Sequence, residues 1–209
     1  ERKQTQRASY DRVLIVTEGS KTEPLYFKEI KNAHRLQTAN VEVHPSALGT
    51  EPIQVVRYAK KLFQEGDPNK RVRARAFEKV FALFDRDDHK SYFDALKLAE
   101  SLDGKLRNDA KQPVEFKAIA SVPCFELWLL LHYEDIRHPL HRDEVLTRLK
   151  QHIPGYDKGA GGSFSTTRGS LDIASQRARN LAALSTAFDD TEPSTEIVEL
   201  VALLIAFGN

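Results

Sequence analysis

Two runs of branched and aromatic residues, Val13 to Val16 ("VLIV") and Val80 to Phe84 ("VFALF"), are apolar without a break. Continuous rather than alternating hydrophobicity predicts strands buried on both faces, as in a parallel sheet covered by helices. A weaker strand, "VEVHP", lies between them, and a fourth, "VEFKAIA", follows. Between the strands the apolar positions recur at helical spacing. A first helix begins near Pro24, where the missing N–H is not needed, and carries Leu25, Phe27 and Ile30. A second uses Ile53, Val56, Ala59 and Phe63 and stops at Gly66. A third holds Phe93, Leu96, Ala99 and Leu102, and an apolar one runs from Phe125 to Tyr133.

The alternation of strand and helix predicts an α/β fold: an open, mainly parallel four-stranded sheet flanked by helices, with a helical C-terminal part. That part comprises Asp143 to His152, roughly Ser170 to Phe188, and the closing "STEIVELVALLIAF". The stretch "PGYDKGAGGSFSTTRG" reads as a mobile loop. The expected organisation is a basic tail over residues 1–12, an α/β domain over 13–135, and a helical extension over 136–209 packed on the same core.

With 209 residues the chain can bury one substantial core. No apolar run approaches the roughly 20 residues of a membrane span, and the N-terminal "ERKQTQRASYDR" has no signal-peptide core. Cys124 is the single cysteine, so no internal disulfide forms, and a cytoplasmic location is expected. Net charge is only +1, but its distribution is uneven. "NKRVRAR" gathers Lys70, Arg71, Arg73 and Arg75 just ahead of the second apolar strand. A local basic patch beside an acidic centre suits a polyanion such as RNA or DNA; the competing view is a solvated loop.

The acidic centre is "FDRDD". Asp85, Asp87 and Asp88 follow the apolar run within four positions, and Glu18 follows the first strand. In open parallel sheets ligands collect at the carboxyl ends of the strands. Neighbouring strands lie about 4.8 Å apart, so Glu18 can share a volume with Asp85 and Asp87. Alternate residues of an extended chain face one side, which lets both aspartates face one ion. Hard oxygen donors without cysteine or paired histidine favour Mg²⁺ or Mn²⁺. Asp88 then completes that ion or supports a second. The alternative is a turn that caps the next helix.

Glu18 after one strand and Asp-x-Asp after another resemble the signature of the Toprim domain found in topoisomerases, primases and OLD nucleases. The longer wording "VLIVTEGSKTEPLYF", "FALFDRDD", "SVPCFELWLLLHY" and "PSTEIVELVALL" resembles the RloB-like family of Toprim-related bacterial proteins. The resemblance implies a Toprim-like fold and a metal-dependent nuclease of an antiphage or abortive-infection system, working with an ABC/SMC-like ATPase. A homodimer is compatible with it. Carried over, Glu18 matches the Toprim glutamate and Asp85 and Asp87 the Asp-x-Asp pair, while Glu23 and Glu126 match further acidic positions.

Glu18 is thus expected as metal ligand or general base, and Asp85 and Asp87 as ligands. Glu23 stands three residues after Ser20, the spacing of a capping box, and Glu126 is an acid in an apolar helix, which needs a partner. Lys158 and Arg168 flank the Gly-rich loop and could neutralise a phosphate. Cys124 and Trp128 read as core, the histidines lack zinc spacing, and "GAGG" is not a P-loop. Two rivals stand beside the nuclease: a non-catalytic subunit that binds nucleic acid or the ATPase, and a haloacid-dehalogenase-type phosphatase with Asp85 as nucleophile and Asp87 as acid.

Overall fold

The structure, a computed structural model, describes residues 11–36, 40–184 and 193–208. Four strands, β1 (Val13–Thr17), β2 (Val41–Pro45), β3 (Lys79–Asp85) and β4 (Glu115–Val122), run parallel, and a short β5 (Ser194–Thr195) lies antiparallel to β4. The spatial order is β2-β1-β3-β4-β5. The helices are α1 (Thr22–Ala33), α2 (Pro52–Glu65), α3 (Tyr92–Leu102), α4 (Glu126–Leu130), α5 (Arg142–His152), α6 (Ser163–Thr167), α7 (Leu171–Leu184) and α8 (Ile197–Ala206).

Every residue of β1 and all but the first of β3 are buried, as a sheet covered on both faces requires. The pleat divides them. Leu14, Val16, Val80, Ala82 and Phe84 pack with Val55, Ala59 and Phe63 of α2 and Ala95 and Ala99 of α3. Val13, Ile15, Phe81 and Leu83 turn to the other layer, with Phe27 and Ile30 of α1, Leu127 of α4, Ala174 of α7 and Leu200 of α8. The arrangement is an α/β open sheet, mostly parallel, consistent with a Toprim-like architecture. No helix among the described residues is long and apolar enough to cross a membrane.

The structure departs from the sequence expectations at four places. The sheet has a fifth strand, because the stretch read as one closing helix divides: Ser194 and Thr195 pair with Val122 and Ser121, and the helix begins at Ile197. The side chains of Ser121 and Thr195 hydrogen-bond at 2.9 Å, and the Ala120 N–H donates to Glu196 Oε2 at 2.9 Å. The helix expected from Phe125 to Tyr133 is regular only over Glu126–Leu130, although Leu127 to Leu131 are all fully buried. The Gly-rich stretch is not loop throughout: Phe164, in α6, is buried and meets the Tyr26 ring edge-on at 5.6 Å. The helix expected to reach Phe188 is described only to Leu184; its last residues, like tail residues 1–10, lie outside the described residues.

The fourth departure concerns charge. The loop that holds Lys70, Arg71, Arg73 and Arg75 leads into the amino end of β3, whereas Asp85 closes its carboxyl end. Seven extended residues separate the two by about 20 Å. The basic cluster is adjacent to the acidic one in sequence and at the opposite pole of the sheet in space.

Candidate functional site

At the carboxyl ends of β1, β3 and β4 the chain turns sharply three times, and the turns enclose a pocket of about 240 Å³. After β1 the Glu18 N–H donates to the Leu83 carbonyl at 2.9 Å. In return Glu18 Oε2 accepts the Asp85 N–H at 2.9 Å, which ties the two strand ends together. Asp85 is buried, and its Oδ1 accepts the Phe125 N–H at 2.9 Å. The third turn passes through a cis Val122–Pro123 bond to Glu126, the first residue of α4.

Asp87 reaches the pocket by a different route from the one its spacing implies. Its φ is +34°, so the chain has left the extended conformation; aspartate is among the residues that tolerate this region. Two bonds to the neighbouring turn hold it there: the Arg86 N–H donates to Ser121 O at 2.8 Å and the Asp87 N–H to Pro123 O at 3.1 Å. Asp88, the next residue, is exposed and faces an adjoining depression of about 330 Å³ with His89, Pro123 and Leu140. It does not line the main pocket.

Glu23 does line it, and its carboxylate explains Gly19. The expected capping box at Ser20 does not form, since α1 is preceded by Lys21 with no side-chain cap. Instead the Gly19 N–H donates to Glu23 Oε1 at 3.2 Å. A Cβ on Gly19 would stand 2.3 Å from Glu23 Oε2, so only glycine leaves room for that carboxylate. Glu126 is almost fully buried. Its Oε1 accepts from Lys158 Nζ at 2.9 Å and from the Tyr156 hydroxyl at 3.2 Å, while its Oε2 has no hydrogen-bond partner.

The electrostatics follow from crowding. Glu18, Glu23, Asp85, Asp87 and Glu126 line the pocket against Lys21, Arg142 and Lys158, five carboxylates against three cations. Burial pushes the Asp85 carboxyl well above its ordinary range, and Glu23, Glu18 and Glu126 push it further. Burial raises Glu18 too, partly offset by the Asp85 N–H, and burial followed by Glu126 and Glu18 raises Glu23. Burial, then Glu126 and Asp85, also push the Cys124 thiol well up, which makes it an inert core residue.

Of the residues singled out in the sequence, the fold unites Glu18, Glu23, Asp85, Asp87, Glu126 and Lys158. Arg168, exposed beyond α6, does not line the pocket, and Lys70, Arg71, Arg73 and Arg75 stand at the far pole. Lys70 is occupied there, donating to the Tyr58 hydroxyl. Sequence reasoning missed Lys21, which lines the pocket, and three residues that contact or approach its carboxylates. Arg142 pairs with Asp87 from the start of α5, Tyr156 donates to Glu126, and His89 lies 3.4 Å from Glu18 and 3.2 Å from Glu51. A tyrosine two residues before Lys158 carried a faint signal; Arg142 carried none.

The donor set is all hard oxygen, sets five carboxyls against three cations and leaves one buried carboxylate oxygen unpartnered, which suits a divalent cation. Among the described residues, however, no three His, Cys, Asp or Glu side chains are already drawn together around a metal position. Arg142 and Lys158 compensate two of the carboxylates instead.

A family model described as RloB-like protein matches residues 13–204, from the first residue of β1 into α8. No curated protein and no solved structure matches the chain.

Proposed function

The chain belongs to the RloB-like protein family, and from that premise and its pocket we propose that it is a nuclease that hydrolyses phosphodiester bonds of RNA or DNA with Mg²⁺ or Mn²⁺. The observation that carries this reading is the excess of buried carboxylate. Five acids in one pocket with three cations repel one another, and a divalent ion relieves what protonation of Asp85 otherwise must. An acidic pocket would also repel a phosphate unless a cation stood between them.

Asp85, Asp87, Glu18 and Glu126 are the residues to hold the ion, with Glu23 fixing the Gly19 turn beside them. The chemistry supplied by a bound ion is activation of a water and neutralisation of the phosphate oxygens. Lys158 and Arg142, at the pocket wall, are placed to pair with a phosphate once their carboxylates are otherwise engaged. Action within an antiphage or abortive-infection system, beside an ABC/SMC-like ATPase, extends the proposal on the strength of the family resemblance.

One observation favours a second reading. Arg142 and Lys158 already neutralise Asp87 and Glu126 internally, an arrangement that a metal-free binding subunit would also keep. Cleavage of tRNA, single-stranded RNA, plasmid and single-stranded DNA decides between them, with Mg²⁺, Mn²⁺ or EDTA and with and without an ATPase encoded beside the gene. The nuclease cuts in metal, not in EDTA, and Asp85→Asn loses about 100-fold or more of the rate. Folded protein that is silent on every substrate, partner included, would leave the binding subunit.

A further inference from the structure

The pole of the sheet opposite the carboxylates is built from two loops. One joins α2 to β3 and the other joins α3 to β4, and the Asp109 N–H of the second donates to the Arg75 carbonyl of the first at 2.7 Å. Together they expose Arg71, Arg73, Arg75, Lys105, Arg107 and Lys111. We infer that this pole is a second contact surface for the phosphate backbone of a nucleic acid, separate from the carboxylate pocket.

Three observations lead there. First, the acids of this pole are engaged elsewhere. Arg12 bridges Glu78 and Asp109 at 2.6 and 2.7 Å, Glu115 is paired with Lys79 and Lys117, and Asp103 Oδ1 accepts the Phe116 N–H at 2.9 Å. Asp67 accepts the Asn69 and Lys70 N–H groups. Each of these five acids is thus already committed to another partner.

Second, Arg71, Arg75 and Lys111 have φ values of +59°, +54° and +64°. A residue with a Cβ is strained in this region, and glycine is not. The chain has a long basic side chain at all three, and strain kept where a cheaper residue exists points to function. Third, the surface has no apolar anchor. Among the described residues the exposed large hydrophobic ones are Leu48, Phe93 and Ile173, none of them on these loops. Protein interfaces centre on buried aromatic, apolar and arginine anchors, of which this surface has only the arginines, whereas phosphate contacts alone give nucleic-acid affinity, and guanidinium groups match phosphate in pairs of hydrogen bonds.

With about 20 Å of sheet between the poles, one short strand bound straight across the pocket does not engage both. The surface therefore selects a long or folded nucleic acid. The proposal stands apart from the nuclease reading, because it needs no chemistry at the carboxylates.

The test is fluorescence anisotropy of labelled RNA and DNA of about 30 nucleotides in EDTA, where no cleavage is read. The combined change of Arg71, Arg73, Lys105 and Lys111 to Gln should weaken binding at least tenfold. It should also flatten the slope of log affinity against log salt by about 3, near 0.7–0.9 per lost contact. The triple change Arg71→Gly, Arg75→Gly, Lys111→Gly should weaken binding while thermal stability holds or rises, which separates a binding role from a folding one. Unchanged affinity and slope would overturn the proposal. So would an equal loss from Lys61→Gln with Lys97→Gln on the helical face, or equally tight binding of polyglutamate, which would mark an acidic protein surface.

Discussion

Arg142, the first residue of α5, donates to the Asp87 carboxylate across 55 positions of sequence. The pair closes the wall between the carboxylate pocket and the depression that Asp88 faces. In metal-free protein it does for Asp87 what an ion would do. Arg142→Ala should therefore tighten Mn²⁺ binding, by about tenfold for one opposing charge at close range, while slowing any cleavage. Titration calorimetry with Mn²⁺ measures it, and weaker metal binding in the variant would show that Arg142 holds the pocket open rather than competing for it.

Lys158 plays the same part for Glu126, but Glu126 is far more deeply buried. Removing one partner leaves a buried charge exposed to its own desolvation cost, reduced here because the Lys158 side chain is 42% exposed and Tyr156 still donates. Lys158→Ala should cost about 1–2 kcal/mol in EDTA and less in saturating Mg²⁺. Thermal melts under both conditions check this; an identical loss in both would dissociate Glu126 from the metal.

Much of this architecture is legible in the amino-acid pattern alone. "VLIV" and "VFALF" announce buried parallel strands because nothing polar interrupts them, and the residues after such strands meet at one pole. Ser194 and Thr195 are not legible as a strand, since two residues carry no period and they adjoin a helical one. Arg142 is hidden because its partner is chosen by the packing of α5, not by any local pattern. The basic loop is misplaced for a simple reason: adjacency along a strand's sequence becomes separation along its length.

Gly19 offers a cleaner probe of local geometry than any charged residue. Gly19→Ala introduces a methyl 2.3 Å from Glu23 Oε2 and must displace that carboxylate, with the loss of one hydrogen bond, about 1 kcal/mol. Once Glu23 is alanine, the same change should be nearly neutral. A double-mutant cycle by urea denaturation tests this, with a coupling of about 1 kcal/mol expected; strict additivity would mean the two residues are independent.

His132 sets an acid limit on the fold. Its Nδ1 faces the Trp128 carbonyl at 2.9 Å, so the neutral ring donates there, and Nε2 is buried without a partner. Burial lowers its pKa to about 4, below the ordinary value of about 6.5. The unfolded chain thus binds a proton that the native one refuses between these values. Stability should be unaffected above pH 6.5 and fall as pH drops toward 4, by about 3 kcal/mol from this group. His132→Leu should flatten that limb of a stability-against-pH curve, and an unchanged limb would assign the acid sensitivity to other groups.

The two-residue strand β5 has a consequence for the order of assembly. It clamps Ser121 and Val122, the last residues before the turn whose Phe125 N–H holds Asp85. A ribosome delivers β1 and β3 well before Thr195, and chains fold from the N-terminus as they emerge. Glu18 and Asp85 are thus made long before the clamp behind their pocket. On this plan the pocket around Glu18 and Asp85 stays open at one side until β5 has emerged to close it.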